Sequence, residues 1–297
     1  MKKIRCSGFC LVTGFLLFVR LSALAQPASR ITILVDAFSQ SPTLKQDWGF
    51  AALIEYDGKR ILFDTGNNAD IFAFNTKALN IDLTRLDFVV LSHRHGDHTD
   101  GLRHLLKVNP EVRIYVPNDE YFGGPTPMGF FRRKEPTLPA HMRYFNGKVP
   151  QQIPHGSPWP QKNMSRIDSS VQINPNITIV RNLSKERLFG ETPELSLAIR
   201  TTRGQVLVVG CSHPGIEQIL SSIGAKENPV RLLVGGLHLV QTPQAELERL
   251  AKALREEWNV TSIAPGHCTG EGGFITLQQV FGAQYQYAGL GVQIPLP

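Results

Sequence analysis

Residues 92–101 read Ser92-His93-Arg94-His95-Gly96-Asp97-His98-Thr99-Asp100-Gly101. They follow the apolar run Leu86 to Leu91, which has the character of a buried strand. Isolated histidines usually sit on the surface or in the core without chemistry, and His104, His141 and His155 are read that way. His93, His95, Asp97 and His98 are packed too closely for that reading. A neutral imidazole offers one lone pair to a metal, and a carboxylate offers a hard anionic oxygen. His93 and His95 alternate in an extended loop, so both can chelate one ion from the same side. Asp97 and His98 come from the next turn and can face a second ion. Two such ions can activate one bridging hydroxide while polarising the bond it attacks, and Asp97 could orient that hydroxide or take up its proton.

Outward from this cluster the chain alternates strands and helices. Ile31 to Val35, Gly49 to Tyr56 and Arg60 to Phe63 read as strands, with a hairpin turn at Asp57-Gly58. Gly101 to Lys107 has helical spacing, and Val112 to Val116 is again of β type. Ile177 to Val180, Ser196 to Thr201, Val206 to Val209, Val230 to Val234 and Ser262 to Ala264 are strands. Pro214 to Ile223 and Pro243 to Glu257 read as helices, the second amphipathic. The order of elements predicts an α/β layered fold. From about 117 to 170 the chain departs from this pattern. It is rich in Pro, Gly and aromatics, carries Arg132-Arg133-Lys134, and is expected to form a cap-like insertion over a site.

With these motifs the sequence resembles the metallo-β-lactamase superfamily, whose hallmark is His-x-His-x-Asp-His at the end of a strand. His93, His95, Asp97 and His98 match it. Phe63-Asp64-Thr65-Gly66 looks like the family's first motif, in which Asp64 would orient the loops of the site. Pro265-Gly266-His267 looks like the last, in which His267 would bind the second metal. The resemblance implies an αββα sandwich of two sheets flanked by helices, with the metal site along the sheet edge. Val208-Val209-Gly210-Cys211-Ser212-His213 departs from the commonest pattern, with Cys211 where an aspartate is expected. Together with Gly235-Gly236-Leu237-His238-Leu239 and Gly266-His267-Cys268-Thr269-Gly270, it is similar to a branch of dihydropterin-linked phosphate synthases and metal-dependent hydrolases.

The expected ligands are therefore His93, His95, Asp97, His98, His213 and His267. Cys211 could bind as a thiolate or simply lie buried at a strand end. Glu194 could be a ligand, a partner of a ligating histidine, or a helper in proton transfer. His238 could hydrogen-bond substrate or be structural. Two divalent ions are implied, zinc first for an imidazole-rich set, with iron or manganese admitted by mixed ligation. The expected activity is metal-dependent hydrolysis of a small carbonyl or phosphoryl substrate, pterin-like or phosphorylated. A β-lactamase or lactonase of the same fold, and a non-catalytic metal-binding protein, are the alternatives.

The composition, 42% hydrophobic and 19% charged over 297 residues, excludes a disordered, collagen-like or coiled-coil chain. The net charge of +6 suggests an anionic partner until its position is considered. Residues 1–25 hold Lys2, Lys3, Arg5 and Arg20, an apolar stretch and a terminal Ala23-Leu24-Ala25, the order of a secretory signal peptide. Export to the periplasm or beyond, with no membrane anchor left after cleavage, is the expectation. Removing those four charges leaves +2 on residues 26–297, read as one domain. A nuclease needs a basic surface to follow phosphates, so a small-molecule substrate rather than nucleic acid is expected.

Overall fold

Two apolar runs, Arg30–Val35 (β1) and Ala51–Tyr56 (β2), pair antiparallel, and Asp57-Gly58 folds Lys59–Phe63 (β3) back onto β2. Both turn residues take positive φ, 52° and 71°, the conformation in which a two-residue hairpin turn matches strand twist. Phe88–Val90 (β4) and Ile114–Pro117 (β5) continue the sheet in parallel, and Met164–Ile167 (β6) pairs parallel with β5 at the edge. Near the C-terminus Gln293–Pro295 (β13) closes the other edge against β1, giving seven strands in the order β13-β1-β2-β3-β4-β5-β6.

The second sheet has six strands, in the order β12-β11-β10-β9-β8-β7. They are Val171–Asn174 (β7), Ile177–Glu186 (β8), Gly190–Thr201 (β9), Gly204–Val209 (β10), Val230–Gly236 (β11) and Ser262–Gly266 (β12). This computed structural model describes residues 29–122, 162–186 and 190–297. The leader read at 1–25 and most of the cap-like stretch, 123–161, lie outside the described residues. The 117–170 reading needs one correction. Its last part is not a cap, because Met164–Ile167 (β6) belongs to the first sheet.

Side-chain alternation along the strands builds three apolar layers. In β10, Val206 and Val208 point inward, meeting Ile31, Ile54, Ile61 and Phe63 of the first sheet and Ile179, Leu197 and Val234 of their own. Leu207 and Val209 point outward, under Ile216–Ser222 (α4), Gln244–Lys252 (α5) and Glu271–Phe281 (α6). On the far side Leu34, Leu53, Leu62 and Val89 lie beneath Ala69–Ala78 (α1) and Leu102–Val108 (α3). The architecture is an αββα sandwich, as expected from the sequence. The 253–257 end of the helix read from Pro243 to Glu257 widens into a π-type turn. Among the described residues no helix is long and apolar enough to cross a membrane. Strands β3, β4 and β5 run parallel, as do β10, β11 and β12, so the loops after β3, β4, β10, β11 and β12 gather along one edge of the sandwich.

Candidate metal centre

The first sheet delivers its site residues in one segment. Past β4, Ser92 to His95 run extended, and Gly96–Thr99 (α2) forms a single helical turn carrying Asp97 and His98. Asp64, past β3, holds this segment from beneath. Its Oδ1 accepts the Ser92 N–H at 2.6 Å, and its Oδ2 accepts the Ser92 hydroxyl at 2.7 Å and His98 Nδ1 at 2.7 Å. Because the Ser92 proton goes to Asp64, Ser92 Oγ must accept the proton on His93 Nδ1, 2.9 Å away. One buried carboxylate thus sets the orientation of two imidazoles, so that Nε2 of each faces the same cleft. Gly210 permits the approach, because a Cβ there would collide with Ser92 Oγ.

The second sheet delivers its residues from three strand ends. Cys211 and His213 follow β10, His238 follows β11, and His267 and Cys268 follow β12. Non-glycine residues with positive φ concentrate here: Ser212 at 64°, His238 at 55° and His267 at 48°, with Asp64 at 56° across the cleft. Such conformations cost about 1–3 kcal/mol each and persist where surrounding contacts impose them. Two buried carboxylates hold Ser212 and His267 in theirs. Glu194 in β9 accepts the N–H groups of Cys211 (2.9 Å), Ser212 (2.7 Å) and His213 (2.7 Å). Asp36, just past β1, accepts the His267 N–H at 3.0 Å and the Phe38 N–H at 3.1 Å. Burial pushes Glu194 up to about 7 and Asp36 up to about 7, against the N–H groups that favour their anions.

These loops converge. His93, Cys211 and His213 form one group of donors, and His98, Cys211 and His267 a second, with ligand atoms within 4.8 Å of one another in each. His93 Nε2 lies 3.0 Å from His95 Nδ1, and His98 Nε2 lies 3.2 Å from both His267 Nε2 and Cys211 Sγ. Asp97 Oδ2 is 3.4 Å from His267 Nε2 and 3.7 Å from His98 Nε2. The His95 ring sits 4.9 Å from that of His213, and the His213 ring lies 4.2 Å from that of the exposed His238, tilted 49° to it. Trp48, 48% exposed, forms a wall 4.9 Å from the His267 ring.

Of the residues read from the sequence, His93, His95, Asp97, His98, His213, His267 and Cys211 come together, with His238 at the rim. Glu194 has both carboxylate oxygens on backbone N–H groups of the 211–213 loop, which places it as that loop's anchor. Sequence reasoning missed Asp36, whose only signal is an acid directly after an apolar strand, the same signal that Asp64 gives after β3. It also missed Ser92 as a relay and Trp48.

The electrostatics favour a cation. Burial holds His93 well below the ordinary imidazole value and takes His95 and His267 down to about 3. Burial would lower His98 as well, but Asp97 and Asp64 outweigh it and push that ring up to about 9. Burial would raise the Asp97 carboxyl, yet His98, His267 and His95 hold it below the usual carboxylate range. Without a metal, the cleft therefore draws a proton onto His98, and a cation among the same donors would take that proton's place. Convergent neutral imidazoles, a thiol and a carboxylate fit a divalent ion of the zinc type. His267 Nδ1 is buried with no hydrogen-bond partner among the described residues.

Residues 49–174 match the profile of the metallo-beta-lactamase superfamily. Over 243 residues, 75% of this chain and 81% of the relative, the sequence is 33% identical to the 7,8-dihydropterin-6-methyl-4-(beta-D-ribofuranosyl)-aminobenzene-5'-phosphate synthase of Methanocaldococcus jannaschii. The chain belongs to the metallo-beta-lactamase superfamily. Among solved structures it is similar to Tm1679, a metal-dependent hydrolase of the beta-lactamase superfamily, with a TM-score of 0.67 and 25% identity over 90% of this chain and 99% of that one. The short form of human tRNase Z shares the fold, with a TM-score of 0.53 at 15% identity over 90% of this chain and 99% of that one. The metallo-beta-lactamase fold is thus hydrolase-like and suited to divalent metal, although one relative in the superfamily is a synthase.

Proposed function

We propose that this protein is an exported metal-dependent hydrolase acting on a small carbonyl or phosphoryl substrate. The observation that carries this reading is the convergence of His93, His98, His213, His267 and Cys211 into two donor groups that share the Cys211 sulfur. His93, His95 and His213 would hold one ion, and Asp97, His98 and His267 the second, with the Cys211 thiolate a further donor within reach of both groups and zinc first in order, iron or manganese as alternatives. When bound, the ions supply a nucleophilic water at neutral pH and stabilise the negative charge that develops on the substrate. The protein's own residues do the rest. Asp64 fixes the imidazoles directly and through Ser92. Asp97 stands at the mouth, where it can orient the attacking water or take its proton. His238 and Trp48 line the rim, where a flat substrate can lie.

Similarity to the dihydropterin-linked phosphate synthase of Methanocaldococcus jannaschii supports a pterin-like or phosphorylated substrate as the first class to screen. A small molecule remains the better reading than nucleic acid, because removal of the leader leaves a charge of only +2. Export rests on the leader at 1–25, and a single domain would span 26–297. The test is metal content together with a screen of esters, lactones and phosphodiesters, on the wild type and on the double substitution His93→Ala, His95→Ala. The wild type is expected to bind up to two zinc ions and hydrolyse at least one substrate class. The double variant should lose at least one ion and that activity. A variant that keeps both would sink the proposal.

A further inference from the structure

Cys268 has no part in the function proposed above, yet its thiol is built into the same edge. Strands β10 and β12 lie on either side of β11, one full strand apart. The loops after them fold toward each other over the end of β11, where Gly235 and Gly236 present no side chain. A Cβ on Gly236 would lie 2.7 Å from Cys268 Sγ, so the bare glycine is what admits the sulfur. Cys268 Sγ accepts the His238 N–H at 3.2 Å and donates to the Cys211 carbonyl at 3.7 Å. The sulfurs of Cys211 and Cys268 and a ring nitrogen of His238 lie within 4.8 Å of one another, and the two cysteines are unbridged. Cys211 Sγ is the donor common to both histidine groups, so whatever bonds to that sulfur competes with both.

We propose that Cys211 and Cys268 are a dithiol oxidation site, in which a peroxide closes a disulfide that withdraws the Cys211 sulfur from the metal centre. The second clause rests on the metal reading above. The Cys268 sulfur attacks one peroxide oxygen. An S–O bond forms, the O–O bond breaks, and hydroxide leaves, taking up the thiol's proton as water. The Cys211 sulfur then attacks Cys268, forming S–S and breaking S–O, and a second water leaves with the proton of Cys211. Two thiols lose two electrons and one peroxide becomes two waters. Closure brings to bonding distance two sulfurs that already lie within 4.8 Å of one another with no side chain of β11 between them. A thiolate binds metal and a disulfide sulfur does so poorly, so oxidation and metal binding must oppose each other reciprocally.

The test uses the full chain, metal-free or loaded with zinc, treated with hydrogen peroxide, alkylated and peptide-mapped. Metal-free protein is expected to yield a Cys211–Cys268 crosslinked peptide that dithiothreitol reverses. Zinc affinity should fall about tenfold in the crosslinked form and return on reduction. Zinc-loaded protein should crosslink more slowly. Cys268→Ser should make zinc affinity insensitive to peroxide, whatever its starting value. Oxidation of single cysteines to sulfinic acid without a crosslink, or a crosslinked protein that keeps full zinc affinity, overturns the proposal. A crosslink in a chain that binds no zinc before treatment supports the oxidation site and overturns the metal reading instead.

Discussion

The two sheets meet at one edge but build their halves of the site in opposite ways. The first sheet places His93, His95, Asp97 and His98 on one six-residue segment, and a single carboxylate, Asp64, reaches two of those imidazoles. The second sheet brings Cys211, His213, His238, His267 and Cys268 from three strand ends. It uses two carboxylates that touch only backbone there, Glu194 on the 211–213 loop and Asp36 on His267. The first half is organised by side-chain hydrogen bonds that fix which ring nitrogen is bare. The second is organised by main-chain clamps that fix strained loop geometry. Damage to the first should therefore appear as lost metal affinity, and damage to the second as lost stability with weaker effects on affinity.

The largest expected effect is that of Asp64→Asn. An amide NH2 facing the Ser92 hydroxyl or His98 Nδ1 sets donor against donor, and the easy relief is a His98 tautomer with its proton on Nε2. Zinc affinity measured against a competing chelator should drop about 10–100-fold, and metal-free stability should fall by about 1–3 kcal/mol. A variant that binds zinc like the wild type would break the proposed division between the halves.

Glu194→Gln comes next, because an amide can accept only part of what the carboxylate accepts from three N–H groups. Stability by denaturant unfolding should fall by about 1–2 kcal/mol at neutral pH, with zinc affinity changed less than in the Asp64 variant. The same residue predicts a pH dependence. Burial raises Glu194 from 4.5 to about 7, so the folded chain holds the proton more tightly than the unfolded chain does. Metal-free wild type should be most stabilised by this group below pH 4.5, and should lose that contribution as pH rises through 7, by on the order of 3 kcal/mol. The Gln variant should show a flatter stability profile between those limits. An equal slope in both proteins would show that Glu194 stays ionised throughout.

The smallest effect is expected from Asp36→Asn, which can keep one of its two N–H acceptor contacts. It should cost about 1 kcal/mol in unfolding experiments and leave His93 and His98 chemistry untouched. A loss of zinc affinity as large as that of Asp64→Asn would show that the His267 loop, not the 93–98 segment, dominates the site.

The contrast between the halves also explains what could be read in advance. The 93–98 donors are close in sequence because one loop carries them, so spacing alone exposes their chemistry. Asp64 was legible through the Phe63-Asp64-Thr65-Gly66 motif, and the two-sheet sandwich through the succession of short apolar strands. His213 and His267 were recognisable only beside family motifs, since nothing in local spacing links residues from separate strands. For Glu194 the sequence left three roles open, and the structure puts its carboxylate on the N–H groups of Cys211, Ser212 and His213. Whether an acid meets a metal or a backbone N–H depends on how β9 and β10 pair, and that is a long-range fact. Asp36 left almost no trace, because its partner, His267, lies 231 positions away.

The sequence by itself determined the class of fold and the clustering of metal-type donors in the 93–98 segment. These follow from composition, from period-two alternation and from contacts between near neighbours. Only the tertiary structure decided that Glu194 anchors a loop, that Asp36 holds His267, and that Cys211 and Cys268 are neighbours. Each depends on which strands run side by side and on where a glycine leaves room. In this chain Gly236 at the end of β11 is what lets the sulfur of Cys268 approach that of Cys211.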